Sequence, residues 1–265
     1  MTLFQAAILG IVQGLTEFLP VSSSGHLILV PALLGWPNAS SLAFDAAVNA
    51  GTVAAVLVAL REDIVKILRG AFRKSPDAWG KLGWSIVLAT IPAGLAAVLF
   101  RDALEAHART PEIVAISLAV WGVLLFIADR FGKNVHSDAT KVGWKRVLAL
   151  GCAQALALVP GTSRSGVTIT TARFLGIDRA TAARVSFLVG LPILVLASLS
   201  GIHDVAAHGA DVSVAAMLVG ILTSFAAGVF AIRFLLKLFQ GKTTYAGFAV
   251  YRVAVAALVW FLLVR

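Results

Sequence analysis

The sequence predicts an all-α integral membrane protein. Its expected architecture is an inverted-topology repeat, with six transmembrane helices plus two re-entrant helix pairs that meet near the bilayer midplane. Three observations carry this prediction: an apolar composition, long continuous apolar runs, and a polar motif that occurs twice. Hydrophobic residues make up 59% of the 265 residues and charged residues 13%, whereas soluble domains are about 25% charged. The runs are too long and too continuous for the alternating strands of a membrane barrel.

Six apolar runs are candidate spans, because about 20 apolar residues cross the hydrocarbon core as a helix. Several runs are slightly shorter than that, so their boundaries are approximate. They lie at about 43–60, 84–100, 113–129, 185–200, 214–232 and 246–264.

Lysine and arginine are unevenly distributed among the segments that join these runs. Segments 61–81, 130–146 and 233–242 are rich in them, whereas 101–112 has two and 201–213 has none. Cytoplasmic loops carry the excess of basic residues, so the three rich segments are expected on the cytoplasmic side. The first span then runs inwards and the fourth runs outwards, which is the opposite sense that an inverted repeat requires.

The net charge of +9 does not indicate a nucleic-acid partner. Nucleic-acid-binding domains collect their basic residues on one face or along one helix, whereas here they lie in short segments between apolar runs. Cys152 is the only cysteine, which excludes an intramolecular disulfide and makes a cysteine metal site implausible. The expected surroundings are membrane lipids, with no nucleic acid.

One polar motif is repeated in the chain. Residues 10–26 are GIVQGLTEFLPVSSSGH and residues 151–166 are GCAQALALVPGTSRSG. Each motif has a Gly, a Gln three residues later, a helix-breaking Pro and a Ser/Thr/Gly cluster, and their alignment needs a one-residue gap. The duplication predicts one site built from two halves of a single membrane domain. Within that domain, 1–265, repeat 1 covers about 1–132 and repeat 2 covers about 142–265.

Each motif is predicted to form a helix–turn–helix that enters the membrane and returns to the same side. In the first unit, residues 3–19 have a helical pattern, Pro20 and the serine cluster break the helix, and the apolar stretch 26–35 is too short to span. The second unit covers about 147–183. Non-helical backbone at that depth must be covered by protein or lie in a water-filled cavity. The two turns are therefore expected to meet near the midplane and form a cavity.

The polar residues near the turns predict a phosphate site. Gln13 and Glu17 are four residues apart and share one helix face. Ser23 and His26 are three apart, within reach of one another if a helix begins at the turn. Arg164 lies in the second turn, and a guanidinium can bind phosphate through two parallel hydrogen bonds. A nucleophile (Ser23 or water), an acid or base (His26) and a carboxylate able to hold a divalent cation (Glu17) complete a hydrolase.

The backbone N–H groups of both turns are expected at helix N-termini, where they can bind an anion. The residues predicted to bind substrate are therefore Gln13 together with turn residues of both motifs. The turn residues are Ser22, Ser24 and Gly25 in the first motif and Thr162, Ser163, Ser165 and Gly166 in the second.

Two stretches of the motifs match a known family. Residues 14–26, GLTEFLPVSSSGH, and residues 160–166, PGTSRSG, resemble the two signature motifs of the bacterial undecaprenyl-diphosphatase family, also called bacitracin-resistance proteins. The resemblance extends over essentially the whole chain in length, motif separation and spans. It implies hydrolysis of undecaprenyl diphosphate to undecaprenyl phosphate and inorganic phosphate. It also implies an interlocked inverted repeat with two re-entrant helix pairs.

The resemblance also implies roles for individual residues. Glu17 takes the metal-binding or acidic role, Ser23 is the favoured nucleophile, and Arg164 clamps the diphosphate. His26 becomes the acid or base, or a competing nucleophile. The family pattern (E/Q)xxxE has Gln13 in its first position here, so a site that relies on two carboxylates would lose one. The implied cofactor is a divalent cation, Mg²⁺ or Ca²⁺, held by Glu17 and through the carbonyl oxygen of Gln13.

The implied location is the bacterial inner membrane, with a multi-pass chain and an active site that opens to the periplasmic side. There the reaction recycles the lipid carrier of peptidoglycan and other envelope polymers and confers bacitracin resistance. The implied partner is a polyprenyl diphosphate lipid, and a homodimer is left open.

A second function stays open on the residues alone. Inverted repeats with broken helices are the usual plan of transporters, so a transporter or lipid flippase is the alternative. One further residue has no place in either function: Arg252, inside the last apolar run, is expected to snorkel to the interface or to form a structural ion pair.

Overall fold

The computed structural model describes residues 1–36, 41–107, 110–209 and 211–265. Over these ranges the chain forms helices and connecting loops, with one isolated bridge between His136 and Ile177. Short 3-10 turns lie at Ala139–Lys141 and Ala155–Leu158, and a π-helical turn, Trp260–Val264, follows the last helix. The α-helices are α1 Leu3–Phe18, α2 Ser23–Leu33, α3 Leu42–Ala59, α4 Arg61–Ala71, α5 Ala78–His107, α6 Pro111–Phe131, α7 Trp144–Gln154, α8 Arg164–Phe174, α9 Arg179–His208, α10 Val214–Leu238 and α11 Ala246–Val259.

Five stretches in the described chain are long and apolar enough to cross a membrane, and α3 with α4 raises the number to six if that bent pair counts as one span. The five lie in α5, α6, α9, α10 and the end of the chain from Ala246 to Val264. Their outer faces carry exposed apolar side chains, such as Val98, Leu222 and Phe261. The predicted all-helical membrane class is confirmed.

The segment 61–81 was expected to be a loop, and this expectation is wrong in its first half. The chain bends by 77° at Leu60 and continues as α4. One face of α4 is apolar, and its residues Ile64 and Ile67 pack against the core. Because Glu62, Lys66 and Arg69 are exposed and Asp63 is buried, a charge count taken along the sequence conceals the amphipathic helix.

The two segments with few basic residues are also more helical than expected. α5 continues to His107 and α9 to His208, so most of 101–112 and the first half of 201–213 are helical. Arg109, one of the two basic residues counted in 101–112, lies outside the described residues.

The two motifs fold into matching helix–turn–helix units, α1–α2 and α7–α8. Ser22 caps the N-terminus of α2 and accepts a hydrogen bond from the Gly25 amide, while Ser163 caps α8 and accepts one from the Gly166 amide. These serines have φ values of 77° and 72° and are the non-glycine residues with positive φ in the part of the chain described. Such conformations cost energy and persist where the surroundings enforce them. The sequence match therefore corresponds to a shared and strained turn.

The first helix of each helix–turn–helix unit packs against a helix from the other half of the chain. α1 packs on α10, and α7 packs on α5. α3 contacts both α9 and α10, α9 contacts α5, and α6 contacts α11. Gly10 brings α1 close to α10, because a Cβ at this position would lie 2.7 Å from the Gly220 carbonyl oxygen. Small residues allow such close helix contacts in membranes. The first and second halves of the chain therefore pack against each other.

Arg252 of α11 connects the two turns. Its side chain is fully buried, and it donates to the carbonyl oxygens of Pro20 at 3.0 Å, of Gly161 and Thr162 at 2.9 Å each, and of Leu118 at 3.3 Å. The expectation that Arg252 snorkels or forms an ion pair is wrong. Turns inside an apolar protein leave carbonyl groups without helical partners, and this guanidinium satisfies three of them, while its fourth acceptor, the Leu118 carbonyl oxygen, lies within α6.

Asp129 at the end of α6 forms a second buried polar centre. Its carboxylate accepts from Arg173 Nε at 3.1 Å, from Arg179 Nε at 2.7 Å and from the Tyr245 amide at 2.9 Å. Arg173 is itself fully buried. Because these residues lie at the end of α8, the start of α9 and the start of α11, the cluster fixes three helix ends around α6.

We predict that Arg252→Met lowers the free energy of unfolding by about 3 kcal/mol or more, because each buried polar group left without a partner costs about 1–3 kcal/mol. Thermal unfolding of the purified protein in detergent measures the change. Arg233→Met is the matched control, since it removes the same charge from an exposed position on α10. Equal melting temperatures for the two variants would contradict the role of Arg252.

Candidate active site

The two turns bring Glu17, Ser23 and Arg164 into direct contact. Glu17 Oε2 accepts a hydrogen bond from Ser23 Oγ at 2.7 Å. Glu17 Oε1 accepts from Arg164 Nη2 at 3.0 Å and from Arg164 Nε at 3.3 Å. The Glu17 and Arg164 side chains are only 8% and 9% exposed. The structure therefore assembles an ion pair and a hydroxyl from both motifs, as the sequence predicted for one site with two halves.

The local fold explains why these three side chains meet. Glu17 lies in the last turn of α1, and Ser23 and Arg164 are the first residues of α2 and α8. The N-termini of two helices thus lie on either side of one carboxylate. A helix N-terminus presents unpaired N–H groups and the positive end of its dipole. Together with the positive charge of Arg164, the two helix N-termini favour the binding of an anion that carries more negative charge than Glu17 alone.

The space for the Arg164 guanidinium is provided by α9. A Cβ at Gly190 would overlap Arg164 Nη1, so only glycine leaves room for the side chain in this position. On the same helix, the Ser186 carbonyl oxygen lies 3.5 Å from Arg164 Nη1. This long contact leaves Nη1 as the least strongly bound nitrogen of the guanidinium.

Gln13 supports Glu17 from one turn earlier on α1. Its Nε2 donates to Glu17 Oε2 at 3.1 Å and to Asn49 Oδ1 on α3 at 2.8 Å. Gln13 is buried, and its Oε1 is a buried oxygen without a hydrogen-bond partner. Asn49 belongs to neither motif, and the structure places it against Gln13.

The oxygen atoms that could hold a cation are those of Glu17 and Gln13. No group of three or more His, Cys, Asp or Glu side chains able to hold a metal ion occurs within the described ranges. Two oxygen donors, one of them the buried and unpartnered Gln13 Oε1, suit a hard cation that takes its other ligands from substrate phosphates and water. The residues therefore fit a cation shared with the substrate better than a fully protein-bound one.

His26 has different partners from those the spacing predicted. Its Nδ1 lies 2.7 Å from the Ser22 carbonyl oxygen and its Nε2 lies 2.7 Å from the Tyr251 hydroxyl. The expected contact between Ser23 and His26 is not among the hydrogen bonds of the described residues. Ser23 instead donates to Glu17, because a carboxylate is a stronger acceptor than a neutral imidazole.

Most of the other predicted substrate-binding side chains are bonded within the protein. Ser165 Oγ donates to the Leu19 carbonyl oxygen at 3.1 Å, which connects the second turn to the end of α1. Thr162 Oγ1 and Ser117 Oγ are 2.8 Å apart. The hydroxyl oxygens of Ser163 and Ser22 accept hydrogen bonds from the amides of Gly166 and Gly25 in their own turns, and Ser24 alone among this set is exposed. A substrate role for these residues stays a prediction, and it would depend on the backbone N–H groups of the two turns.

Two cavities lie near these elements. One of about 150 Å³ between α2 and α11 has aliphatic walls, with His26 and Tyr251 as its polar groups. A larger one of about 500 Å³ lies at the ends of α3, α9 and α10 and is lined in part by Arg61, Arg184 and Arg233. The larger of the two contains no residue of either motif, so it does not lie at the cluster of Glu17, Ser23 and Arg164.

Comparison with known proteins places this site in a family context. The family model for bacitracin resistance protein BacA matches residues 6–258. An undecaprenyl-diphosphatase 2 of Stutzerimonas stutzeri (strain A1501) is 43% identical over 263 residues, which cover 97% of each chain. An undecaprenyl-diphosphatase of Trichlorobacter lovleyi is 44% identical over 261 residues, covering 96% of this chain and 94% of the relative. That of Marinobacter nauticus is 42% identical over 264 residues, covering 98% of both.

These matches extend over nearly the whole chain and include both turns and the helix that carries Arg252 and Tyr251. With its apolar helices, the chain is a multi-pass membrane protein. The match to the family model and the three relatives lead to one conclusion: the chain belongs to the BacA family of bacitracin resistance proteins.

Proposed function

We propose that the protein hydrolyses undecaprenyl diphosphate to undecaprenyl phosphate and inorganic phosphate. The observation that carries the proposal is the cluster of the buried Glu17–Arg164 ion pair and the half-buried Ser23 at two helix N-termini. Relatives at 42–44% identity are named for this reaction. The product would be the recycled lipid carrier of envelope polymers, and its recovery would account for bacitracin resistance.

We propose further that the chain is an inverted repeat, about 1–132 and about 142–265, with α1–α2 and α7–α8 as re-entrant pairs. Several observations support this. The helices α2 and α8 begin at corresponding motif positions and are capped by serines with the same unusual φ. The pairing of α1 with α10 mirrors that of α7 with α5.

The distribution of basic residues supports an orientation in the bacterial inner membrane. Segments 61–81, 130–146 and 233–242 would be cytoplasmic. The apolar cavity between α2 and α11 is lined by Leu33, at the end of α2, and by Leu262, in the turn that follows α11. In this orientation both residues would lie away from the cytoplasmic segments. The site would thus open towards the periplasmic side, where the diphosphate product of polymer synthesis is released.

In the proposed mechanism, Arg164 and the N-termini of α2 and α8 bind the diphosphate. Ser23 Oγ attacks the terminal phosphorus while Glu17 Oε2, 2.7 Å away, accepts the hydroxyl proton. The bond from the terminal phosphorus to the bridging oxygen breaks, and undecaprenyl phosphate leaves with the electron pair of that bond. Water then attacks the phosphoserine, releases phosphate and restores the hydroxyl. A divalent cation, Mg²⁺ or Ca²⁺, held by Glu17 and Gln13 Oε1 would neutralise phosphate charge.

The polyprenyl tail would occupy the aliphatic cavity between α2 and α11. Its volume of about 150 Å³ accommodates only the part of the tail next to the diphosphate, so the rest would lie among membrane lipids. An apolar wall discriminates single methylene groups weakly, and the enzyme is therefore expected to accept shorter polyprenyl diphosphates.

A transporter with the same architecture is not favoured. Inverted repeats and broken helices suit transport, but transport does not require a hydroxyl held against a carboxylate beside an arginine. The relatives are named as diphosphatases.

The direct test is phosphate release from undecaprenyl diphosphate by the detergent-purified protein, with and without EDTA. We expect release by the wild type, loss of release in EDTA with recovery on added Mg²⁺ or Ca²⁺, and a fall in kcat/KM of about 10³-fold in Arg164→Ala, in line with catalytic arginines elsewhere. Arg233→Ala is the control for loss of a positive charge. A folded wild type that releases no phosphate in any cation would contradict the proposal.

The role of Ser23 is tested separately. We predict that Ser23→Ala lowers kcat by about 10³-fold or more, because the hydroxyl is both nucleophile and partner of Glu17. Ser75→Ala, at an exposed position between α4 and α5, serves as the control and should remain within a few-fold of wild type. Acid quenching with ³²P-labelled substrate should reveal a phosphoserine in the wild type. Full turnover by Ser23→Ala would assign the attack to water.

A further inference from the structure

Outside both motifs, α11 carries one residue that contacts His26, the acid or base that the family resemblance implies. The Tyr251 hydroxyl lies 2.7 Å from His26 Nε2, and the two rings are parallel within 9° at a centroid distance of 5.7 Å. Tyr251 belongs to neither motif, and a tyrosine near the end of an apolar run is ordinarily an interfacial anchor. Tyr251 and His26 are 225 residues apart in the sequence, and nothing in the sequence indicated that they are in contact.

The hydrogen bonds of His26 define the proton positions on its ring. The Ser22 carbonyl oxygen can only accept, so Nδ1 at 2.7 Å must carry the proton. In the neutral ring Nε2 is then an acceptor, and the Tyr251 hydroxyl donates to it. One partner thus comes from the first turn and the other from α11, and together they hold the ring at both nitrogens.

The surroundings leave Nε2 with few other partners. His26 is 7% exposed, and both rings line the cavity between α2 and α11. The remaining side chains of that cavity are aliphatic: Leu29, Val30, Leu33, Val255, Leu258, Val259, Leu262 and Leu263. A buried nitrogen facing such walls without a donor carries an energetic penalty. Loss of the tyrosine hydroxyl would therefore favour rotation of the imidazole away from its present orientation.

We infer that Tyr251 is a positioning residue for phosphate hydrolysis and acts through His26. Its hydroxyl keeps the imidazole in one orientation, with the proton on Nδ1 and with Nε2, bonded to that hydroxyl, at the junction between the first turn and the aliphatic cavity. A substrate whose tail occupies that cavity places its diphosphate beside this junction. The inference rests on the proposed function: as water attacks the phosphoserine, its proton passes to the Tyr251 oxygen while the Tyr251 proton moves to Nε2, so that His26 acts as base through the hydroxyl that positions it.

The kinetic test compares Tyr251→Phe with Tyr245→Phe, the variant of the only other tyrosine in the chain. Tyr245 also donates its hydroxyl, to the Arg179 carbonyl oxygen at 3.0 Å, and lies away from His26. We expect Tyr251→Phe to lower kcat by about 10–100-fold, as the loss of a histidine's supporting partner does elsewhere, with KM changed less than about 3-fold. Tyr245→Phe should stay near wild-type kcat.

Two further measurements separate positioning from a direct contact with substrate. Tyr251→Phe in a His26→Ala background should cause no additional loss of kcat if Tyr251 acts through His26. In protein labelled with ¹⁵N-histidine, Tyr251→Phe should shift the His26 Nε2 resonance, identified by its absence in His26→Ala, and Tyr245→Phe should leave it in place.

An unchanged kcat in Tyr251→Phe beside an active wild type, or an equal loss of kcat with and without His26, would overturn the inference and leave the proposed function intact. An unshifted ¹⁵N resonance would overturn it as well. A wild type without phosphatase activity would overturn the proposed function and the catalytic part of the inference, while the resonance would still report whether Tyr251 holds the imidazole.

Discussion

The structure depends on how two broken helices satisfy their backbone inside an apolar protein. Arg252 resolves this constraint by donating to carbonyl groups of both turns and of α6. Ser165 adds a bond from the second turn to the end of α1. Because these bonds fix one turn relative to the other, Ser23 of one unit and Arg164 of the other can share the carboxylate of Glu17. The cluster is thus a consequence of the same bonds that satisfy the turns.

The two halves match in shape and differ in chemistry. Gln13 and Gln154 occupy corresponding motif positions, but Gln13 donates to Glu17, whereas both polar atoms of the Gln154 side chain are buried without a partner. The residue four positions after Gln154 is Leu158, where the first half has Glu17. The second half therefore contributes the arginine and a helix N-terminus, and the first contributes the carboxylate and the hydroxyl. This division yields one site, although the turn is formed twice.

The sequence was sufficient to predict the helical membrane class, the positions of both turns and the residues of the cluster, because prolines, serines and charges in apolar runs have strong local meanings. It could not predict which partners those residues choose. The spacing favoured a bond between Ser23 and His26, yet the carboxylate of Glu17 and the hydroxyl of Tyr251 compete more effectively, and both depend on tertiary packing. Arg252 was noticed as a charge in a span, but its four acceptors come from three distant segments. The sequence did not indicate α4, because charged and apolar residues are interspersed along its 11 residues.

The central claim is that residues from the two turns act as one unit, and a double-mutant cycle between Glu17 and Arg164 tests it most directly. The values of kcat/KM for phosphate release would be compared among wild type, Glu17→Gln, Arg164→Lys and the double variant, with folding checked by thermal unfolding. If the ion pair acts as a unit, the double variant loses little more activity than the worse single variant, and the coupling free energy lies in the range of about 0.5–3 kcal/mol found for residues in contact. Losses that multiply, with no coupling free energy, would contradict a single site shared between the two halves.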